Sequence, residues 1–394
     1  MIKNNQNQKD LKRIYASSIL TGIPMGFNFV AFPIYLSLVG YNSFEIGLVI
    51  AVGTLVGAIF MIPFGVLSDK FGRLKFIITA RVLSAVSFLM LIFSYNIVIV
   101  YASNIIQGIA FANIGSSFSA LMSEKSTVEN RNFVFSRNTF FSGVSMAGGM
   151  VLSNFPNYLI NLKFGVFPSF RYMFILFFLI QIVSIILFLG ISEDYVPIKR
   201  RGISKETMRT VWKLGVLGMI GLGAGIIVRL FSLWFYLKFG LNIGTIGNFF
   251  AISQFLTALA NLFSARLASL MGTIKSIVTT EALSVVILVL IPLSISPSMA
   301  IVLYITRSLL MNMSSPVMTA FTMSIIRKEE RATAASIIQL FDSAPRSFGP
   351  AIGGYFYSIG DLDLPFYITA FLYSISITFF FILFRKTRLQ NEKD

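Results

Sequence analysis

Six ionisable side chains stand inside long apolar stretches: Arg81, Arg229, Glu281, Arg307, Asp342 and Arg346. A charged group among hydrocarbon side chains is costly unless it is paired, hydrated or used, so each is a candidate for binding or coupling. Arg229 and Arg307 can hold an anionic group or partner an acid. Asp342 and Arg346 are four residues apart, which places them on one helix face within pairing reach. Asp342 is also the acid best placed to carry a proton, unless an arginine holds it in a structural pair. Arg81 and Glu281 lie within two turns of the ends of their stretches, so snorkelling to the polar boundary is expected of both. The chain has no histidine and no cysteine. That removes the commonest catalytic base, the commonest metal ligand and the thiolate nucleophile. An enzyme, a metal centre or a cofactor is therefore not expected, and no P-loop is present to power ATP hydrolysis.

The elements that position these residues follow from composition. Hydrophobic residues make up 56% of the chain and charged residues 12%, against about 25% charged in soluble domains. Lipid must be the main solvent. A span needs about 20 mostly apolar residues, and twelve stretches qualify: 14–39, 44–66, 76–94, 97–123, 137–160, 171–192, 214–237, 243–268, 276–295, 299–326, 333–358 and 364–384. Helices are expected throughout, since an open strand cannot satisfy its backbone in lipid. The net charge of +16 sits in short loops, so it reports topology rather than nucleic-acid binding. With the N-terminus placed in the cytoplasm, 25 of the 32 Lys and Arg residues fall on the cytoplasmic side, as the positive-inside rule requires. A multi-pass plasma-membrane protein with both termini cytoplasmic is expected.

The chain repeats itself with an offset of 200. Gly40 meets Gly240, Gly47 meets Gly247, Gly72 meets Gly272 and Lys75 meets Lys275. Beyond the fourth span Glu129 meets Glu329, Arg131 meets Arg331 and Gly149 meets Gly349. These matches cluster at span ends and loops, where glycine and charge have geometric roles. The predicted architecture is an all-α integral membrane protein of twelve transmembrane helices in two six-helix bundles. Residues 1–192 form the first bundle, 193–213 a cytoplasmic linker and 214–394 the second. An even number of spans per half relates the bundles by a pseudo-twofold axis along the membrane normal.

Residues 65–75 read Gly-Val-Leu-Ser-Asp-Lys-Phe-Gly-Arg-Leu-Lys and join spans 2 and 3. Gly65, Asp69, Lys70, Gly72 and Arg73 match the loop 2–3 signature G-x-x-x-D-[RK]-x-G-R-[RK], and Leu74 departs from it. The chain thus resembles the major facilitator superfamily, the standard example of two parallel six-helix repeats, over essentially its whole length. The resemblance implies a secondary transporter in which one bundle rocks against the other around a midplane cavity. It also implies that Asp69 faces span 11 and that an acid at the end of span 4, here Glu124, pairs with Arg73. These contacts would hold the outward-facing state and break on opening inward. In the second half Ser269 stands where the acid would be and Ala265 where the first glycine would be, so an asymmetric latch is expected.

The family lines its cavity with spans 1, 4, 7 and 10. On that basis Asn28, Gln107, Asn113, Arg229, Trp234, Arg307 and Asn312 are candidate substrate contacts, and Gln254, a polar side chain inside span 8, is added to them. Pro24 and Pro33 flank Asn28 and suggest an irregular first span. The span 4 segment Asn104-Ile105-Ile106-Gln107-Gly108 lacks the arginine of proton-coupled members, and span 5 keeps only Gly149 of the antiporter signature. Arg346 to Gly354 looks like multidrug-type members, which implies efflux of amphipathic compounds. Uptake of an organic anion or sugar is the alternative, and a non-transporting receptor or enzyme a third. The expected partners are a small-molecule substrate, protons and membrane lipid, with the protein monomeric.

Overall fold

The computed structural model describes residues 2–127, 130–193, 203–327 and 330–385. Among them there is no strand, and the chain runs as fifteen helices. The first half contains α1 (Ile2–Leu38), α2 (Ser43–Phe71), α3 (Arg73–Phe93), α4 (Ile97–Lys125), α5 (Arg131–Val151), α6 (Asn154–Asn161) and α7 (Val166–Leu189). The second contains α8 (Lys205–Leu214), α9 (Leu217–Ile227), α10 (Phe231–Phe239), α11 (Ile243–Met271), α12 (Thr273–Leu290), α13 (Pro297–Ser324), α14 (Arg331–Ser358) and α15 (Leu364–Phe384). Among the described residues nine stretches are individually long and apolar enough to cross a membrane. The three other long helices, α5, α13 and α14, carry more polar side chains, Asn138, Arg307, Asn312, Asp342 and Arg346 among them. The nine already include α8 to α10 as one crossing, so with these three there are twelve spans among the described residues.

Backbone contacts divide the chain into two compact units, Met1–Ile198 with Leu241–Ala251, and Lys199–Gly240 with Ile252–Asp394. The start of α11 thus groups with the first unit.

Several helices depart from the expected ranges. α1 runs unbroken through Pro24 and Pro33; each proline removes one hydrogen bond but leaves the helical path open to its neighbours. Span 5 ends early at Val151, and α6 restarts after Leu152 and Ser153. Span 7 is interrupted at residues 228–230, the turn that carries Arg229. Residues 194–202 of the expected linker lie outside the described residues, but 205–214 form α8, whose apolar face supplies buried Val211 and Leu214. Alternating charge along KETMRTVWKL hid that face from a search for apolar runs.

Each unit repeats the other's internal construction. α2 and α11 are both 29 residues long and start 200 residues apart. Each is followed by a glycine in the positive-φ region, Gly72 at 101° and Gly272 at 82°, a conformation strained for any side chain with a Cβ. Their buried clusters use the same positions: Leu11, Ile14, Ile77, Leu121 and Val134 in the first correspond to Val211, Leu214, Ile277, Phe321 and Ala334 in the second. α8 is therefore the counterpart of the first turns of α1, and the repeat begins inside what the sequence presented as linker.

α5 packs on α1, and α14 on α9, at backbone contact distance. A Cβ on Gly149 would stand 2.0 Å from the Ile23 carbonyl oxygen, and one on Gly349 would stand 2.3 Å from the main chain of Gly225 and Ile226. Close approach through small residues is the usual way to pack helices in lipid, where the hydrophobic effect does not drive helices together. Arg81 and Glu281, expected to snorkel, are instead buried at 8% and 4% exposure. Neighbouring helices close over both, and the Arg81 guanidinium lies 6.0 Å from the Phe188 ring centre.

Candidate functional site

The first group of charges lies where α2 turns into α3. Gly72 ends α2 and lets Arg73 open the next helix, which leaves the first amides of α3 without intrahelical partners. Glu193, just beyond α7, accepts from both: Arg73 N at 2.6 Å and Leu74 N at 3.1 Å. A carboxylate at a helix N-terminus is favoured by the local dipole as well as by the hydrogen bonds. The Arg73 side chain then reaches Glu124 at the end of α4, with Nη1 3.3 Å from Oε2, while Asp69 stands 3.9 Å from Arg73 Nε. The structure thus brings together Asp69, Arg73 and Glu124. Gly65 is buried beside them and Lys70 points outward over Phe71.

A buried ion pair lies beside this group. Lys125 Nζ is 3.0 Å from Asp10 Oδ2, with side-chain exposures of 2% and 0%. The Ser192 hydroxyl bridges them, accepting from Lys125 and donating to Asp10. Sequence reading passed over Asp10, Lys125 and Glu193 because each looks like a solvated residue in a polar flank. Only the junction of α1, α4 and the end of α7 reveals the pairing.

The second group sits within the spans of the second unit. Arg346 grips Asp342 as a two-pronged pair, Nε to Oδ2 at 3.0 Å and Nη2 to Oδ1 at 2.7 Å, the geometry in which arginine binds carboxylates best. Arg229, exposed in the turn between α9 and α10, is within electrostatic reach of Arg346. Arg307 on α13 is 5% exposed. It donates from Nη2 to the Tyr373 hydroxyl at 3.2 Å, and its charge lies 6.0 and 5.8 Å from the Phe231 and Tyr373 ring centres. No acid among the described residues is in ion-pair range of Arg307, and its Nε has no hydrogen-bond partner there. Tyr373 joins the group electrostatically to Arg346 and Asp342. Three guanidinium groups thus share a region with one carboxylate. Tyr373 was not anticipated, since nothing in an aromatic-rich last span distinguishes it.

The remaining candidates are scattered. Asn28 and Gln107 are half-buried in the first unit, with side-chain oxygens that have no hydrogen-bond partner among the described residues. Asn113 is buried and donates to the Ile109 carbonyl. Asn312 is exposed and donates to the Ser308 carbonyl at 2.8 Å, and Gln254 is half-buried. Trp234, expected in an aromatic cavity wall, is fully enclosed by Phe235, Phe239 and Phe366. It packs the unit's interior instead. Among the described residues no cluster of acids could hold a metal ion.

A sequence profile described as Major Facilitator Superfamily matches residues 14–237 and again 214–394. The chain belongs to the Major Facilitator Superfamily. An uncharacterized transporter of Buchnera aphidicola subsp. Schizaphis graminum (strain Sg) is 33% identical over 135 residues, 34% of this chain and 33% of that protein. The match therefore spans about a third of the relative's length. Two solved structures share the superfamily fold. A bacterial homologue of the human lysosomal transporter Spinster, inward-facing and unoccupied, superposes with a TM-score of 0.74 at 14% identity, over 97% of each chain. The nucleoside transporter NupG, in a mutant form, superposes with a TM-score of 0.76 at 12% identity, over 95% of this chain and all of that one. The superfamily member described here is accordingly a multi-pass membrane protein.

Proposed function

We propose that the solute is an organic anion, held by the arginines of the second unit and moved by alternating access. The observation that carries this reading is Arg307: a buried guanidinium with a tyrosine hydroxyl, and no acid among the described residues, in range of its charge. An uncompensated cation in a hydrocarbon span is unfavourable unless an anion completes it. Arg229 and Arg346 add positive charge, and Asp342 offsets only part of it. Efflux of amphipathic compounds, which the resemblance suggested first, is less well supported, because no acid in this group is left over to attract a cation. On this reading Asp342 stays in its pair with Arg346 and is not the proton carrier. Asp69, Arg73 and Glu124 act as a latch that breaks when the conformation changes. The basic loops support cytoplasmic termini in a plasma membrane.

The test is a thermal-shift screen of the detergent-purified protein against carboxylates, sulfonates, phosphate esters, neutral sugars and lipophilic cations, followed by counterflow in liposomes. A solute that binds the folded state raises its melting point by mass action, about 2.7 kcal/mol at a hundred times Kd. Stabilisation and counterflow confined to anions are expected. Stabilisation by lipophilic cations alone would overturn the reading.

A further inference from the structure

Glu281 lies on α12 with 4% of its surface exposed, and the transport reading above gives it no task. Its Oε1 is 2.9 Å from the Ser314 hydroxyl on α13, and that hydroxyl is also 2.9 Å from the Met311 carbonyl oxygen. A serine hydroxyl has one proton to donate. A carboxylate and a carbonyl both only accept, so with Glu281 ionised one of the two contacts becomes a lone-pair repulsion. With Glu281 protonated, its carboxyl O–H donates to Ser314 Oγ and the Ser314 O–H donates to Met311, and both contacts are hydrogen bonds. The other nearby hydroxyl, Ser284, is engaged with the Glu281 main-chain carbonyl at 2.8 Å and the Met311 sulfur at 3.4 Å, not with the carboxyl group.

The charges around it do not supply a counter-ion. α12 packs on α13 and α15. Besides Glu281, α12 carries Lys275; α13 carries Tyr304 and Arg307; α15 carries Tyr367 and Tyr373. Arg307 is two turns from Ser314 and bonded to Tyr373. Among the described residues no lysine or arginine is in ion-pair range of Glu281. A carboxylate in this place would be both unpaired and dry, which is the most costly state for it.

We infer that Glu281 is a proton-binding site, occupied in this conformation and relayed through Ser314, and that its proton is the ion moved with the solute. The second clause rests on the transport reading; the first does not. Parting α12 from α13 breaks the relay and wets the carboxyl group. Water then takes the proton, leaving carboxylate and hydronium, and re-closure requires the carboxylate to take one back.

Infrared difference spectroscopy in water and deuterium oxide at neutral pH tests the site. A protonated-carboxyl stretch is expected that shifts on deuteration, disappears in Glu281→Gln and changes frequency in Ser314→Ala. A spectrum unchanged by both substitutions would overturn it; should Glu281→Gln fail to fold, the Ser314→Ala frequency decides. Coupling is read in liposomes with the labelled carboxylate that best stabilises the protein. Glu281→Gln should keep counterflow and lose accumulation driven by a pH gradient, and equal accumulation in wild type and variant would overturn the coupling. Absence of counterflow in the wild type would instead overturn the transport reading, with the infrared result still deciding the proton site.

Discussion

Where the first half has Phe29, Gln107, Ser142 and Met146, the second has Arg229, Arg307, Asp342 and Arg346. Where the first half has Asp10, Asp69, Arg73, Glu124 and Lys125, the second has Thr210, Ser269, Thr273, Ser324 and Ile325. The backbones correspond closely at α2 to α4 and α11 to α13, down to the glycine after α2 and the glycine after α11. The charges do not. In the first half the Asp10–Lys125 pair and the Arg73 group gather at the loop 2–3 end and tie helices together; in the second those positions are uncharged, and Arg307, Asp342 and Arg346 lie within the spans. The position pair Arg81 and Glu281 is the exception that shows the rule. Both are buried in the same place of the repeat, yet one sits against the Phe188 ring and the other meets Ser314, where the first half has Ile114. Duplication preserved the packing surfaces, which admit little variation, and left the polar positions free to diverge.

The comparison can be broken most directly at the buried pair. Asp10→Ala should leave the Lys125 ammonium unpaired at 2% exposure, a loss of about 3–5 kcal/mol, seen as a large fall in the melting temperature of the purified protein. Thr210→Ala, at the equivalent place, should change it little. Similar losses at both positions would mean that the charge clusters are not specific to one half.

The packing surfaces should respond alike. Gly149→Val and Gly349→Val each force apart helices in backbone contact, at about 1–3 kcal/mol each by overpacking. Equal drops in melting temperature sharpen the claim of a shared scaffold, and a drop in one half alone would refute it.

Smaller effects are expected at the helix caps. Glu193→Gln should cost about 1 kcal/mol, the usual worth of an N-terminal cap, with faster hydrogen exchange at Arg73 and Leu74. In the second half Glu330 accepts from the Ser204 amide and hydroxyl, each at 2.9 Å. Hydrogen bonds from Thr207 and Ser204 hold its carboxyl below the ordinary glutamate range. That stabilisation is complete above the range, about 4.3 in an unfolded chain, and is lost as pH falls through the lower folded value. Protection of the amides at the start of α8, measured relative to their intrinsic exchange rates, should therefore fall only in that acidic window, and protection that does not change there would remove Glu330 from the cap. The exposed Arg327–Glu206 pair should contribute least: Arg327→Ala should shift stability by about 0–1 kcal/mol.

Much of this was legible in the sequence. Apolar runs gave the crossings, the offset of 200 gave the duplication, and the loop 2–3 residues pointed to Arg73 and Glu124, which the structure places in contact. α8 was read as linker because its buried face is only every third or fourth residue among lysines and arginines. The break at Arg229 has no proline to announce it, and the two prolines of α1 announce a break that does not occur. Asp10, Lys125 and Glu193 stand in polar flanks, and only tertiary contact turns such flanks into a buried pair and a helix cap. Depth is the hardest quantity to read: Arg81 and Glu281 are near span ends in the sequence, yet neighbouring helices cover them.

The central claim is that the arginines of the second half hold the solute. Equilibrium binding of the most stabilising carboxylate to the purified protein tests it in Arg229→Ala, Arg229→Lys and, as a surface control, Arg327→Ala. Loss of a charge-assisted hydrogen bond costs about 1.5–3 kcal/mol, roughly ten- to a hundredfold in Kd. A loss of that size in Arg229→Ala is predicted, with a smaller one in Arg229→Lys and none in the control. Undiminished affinity in both Arg229 variants would contradict the account.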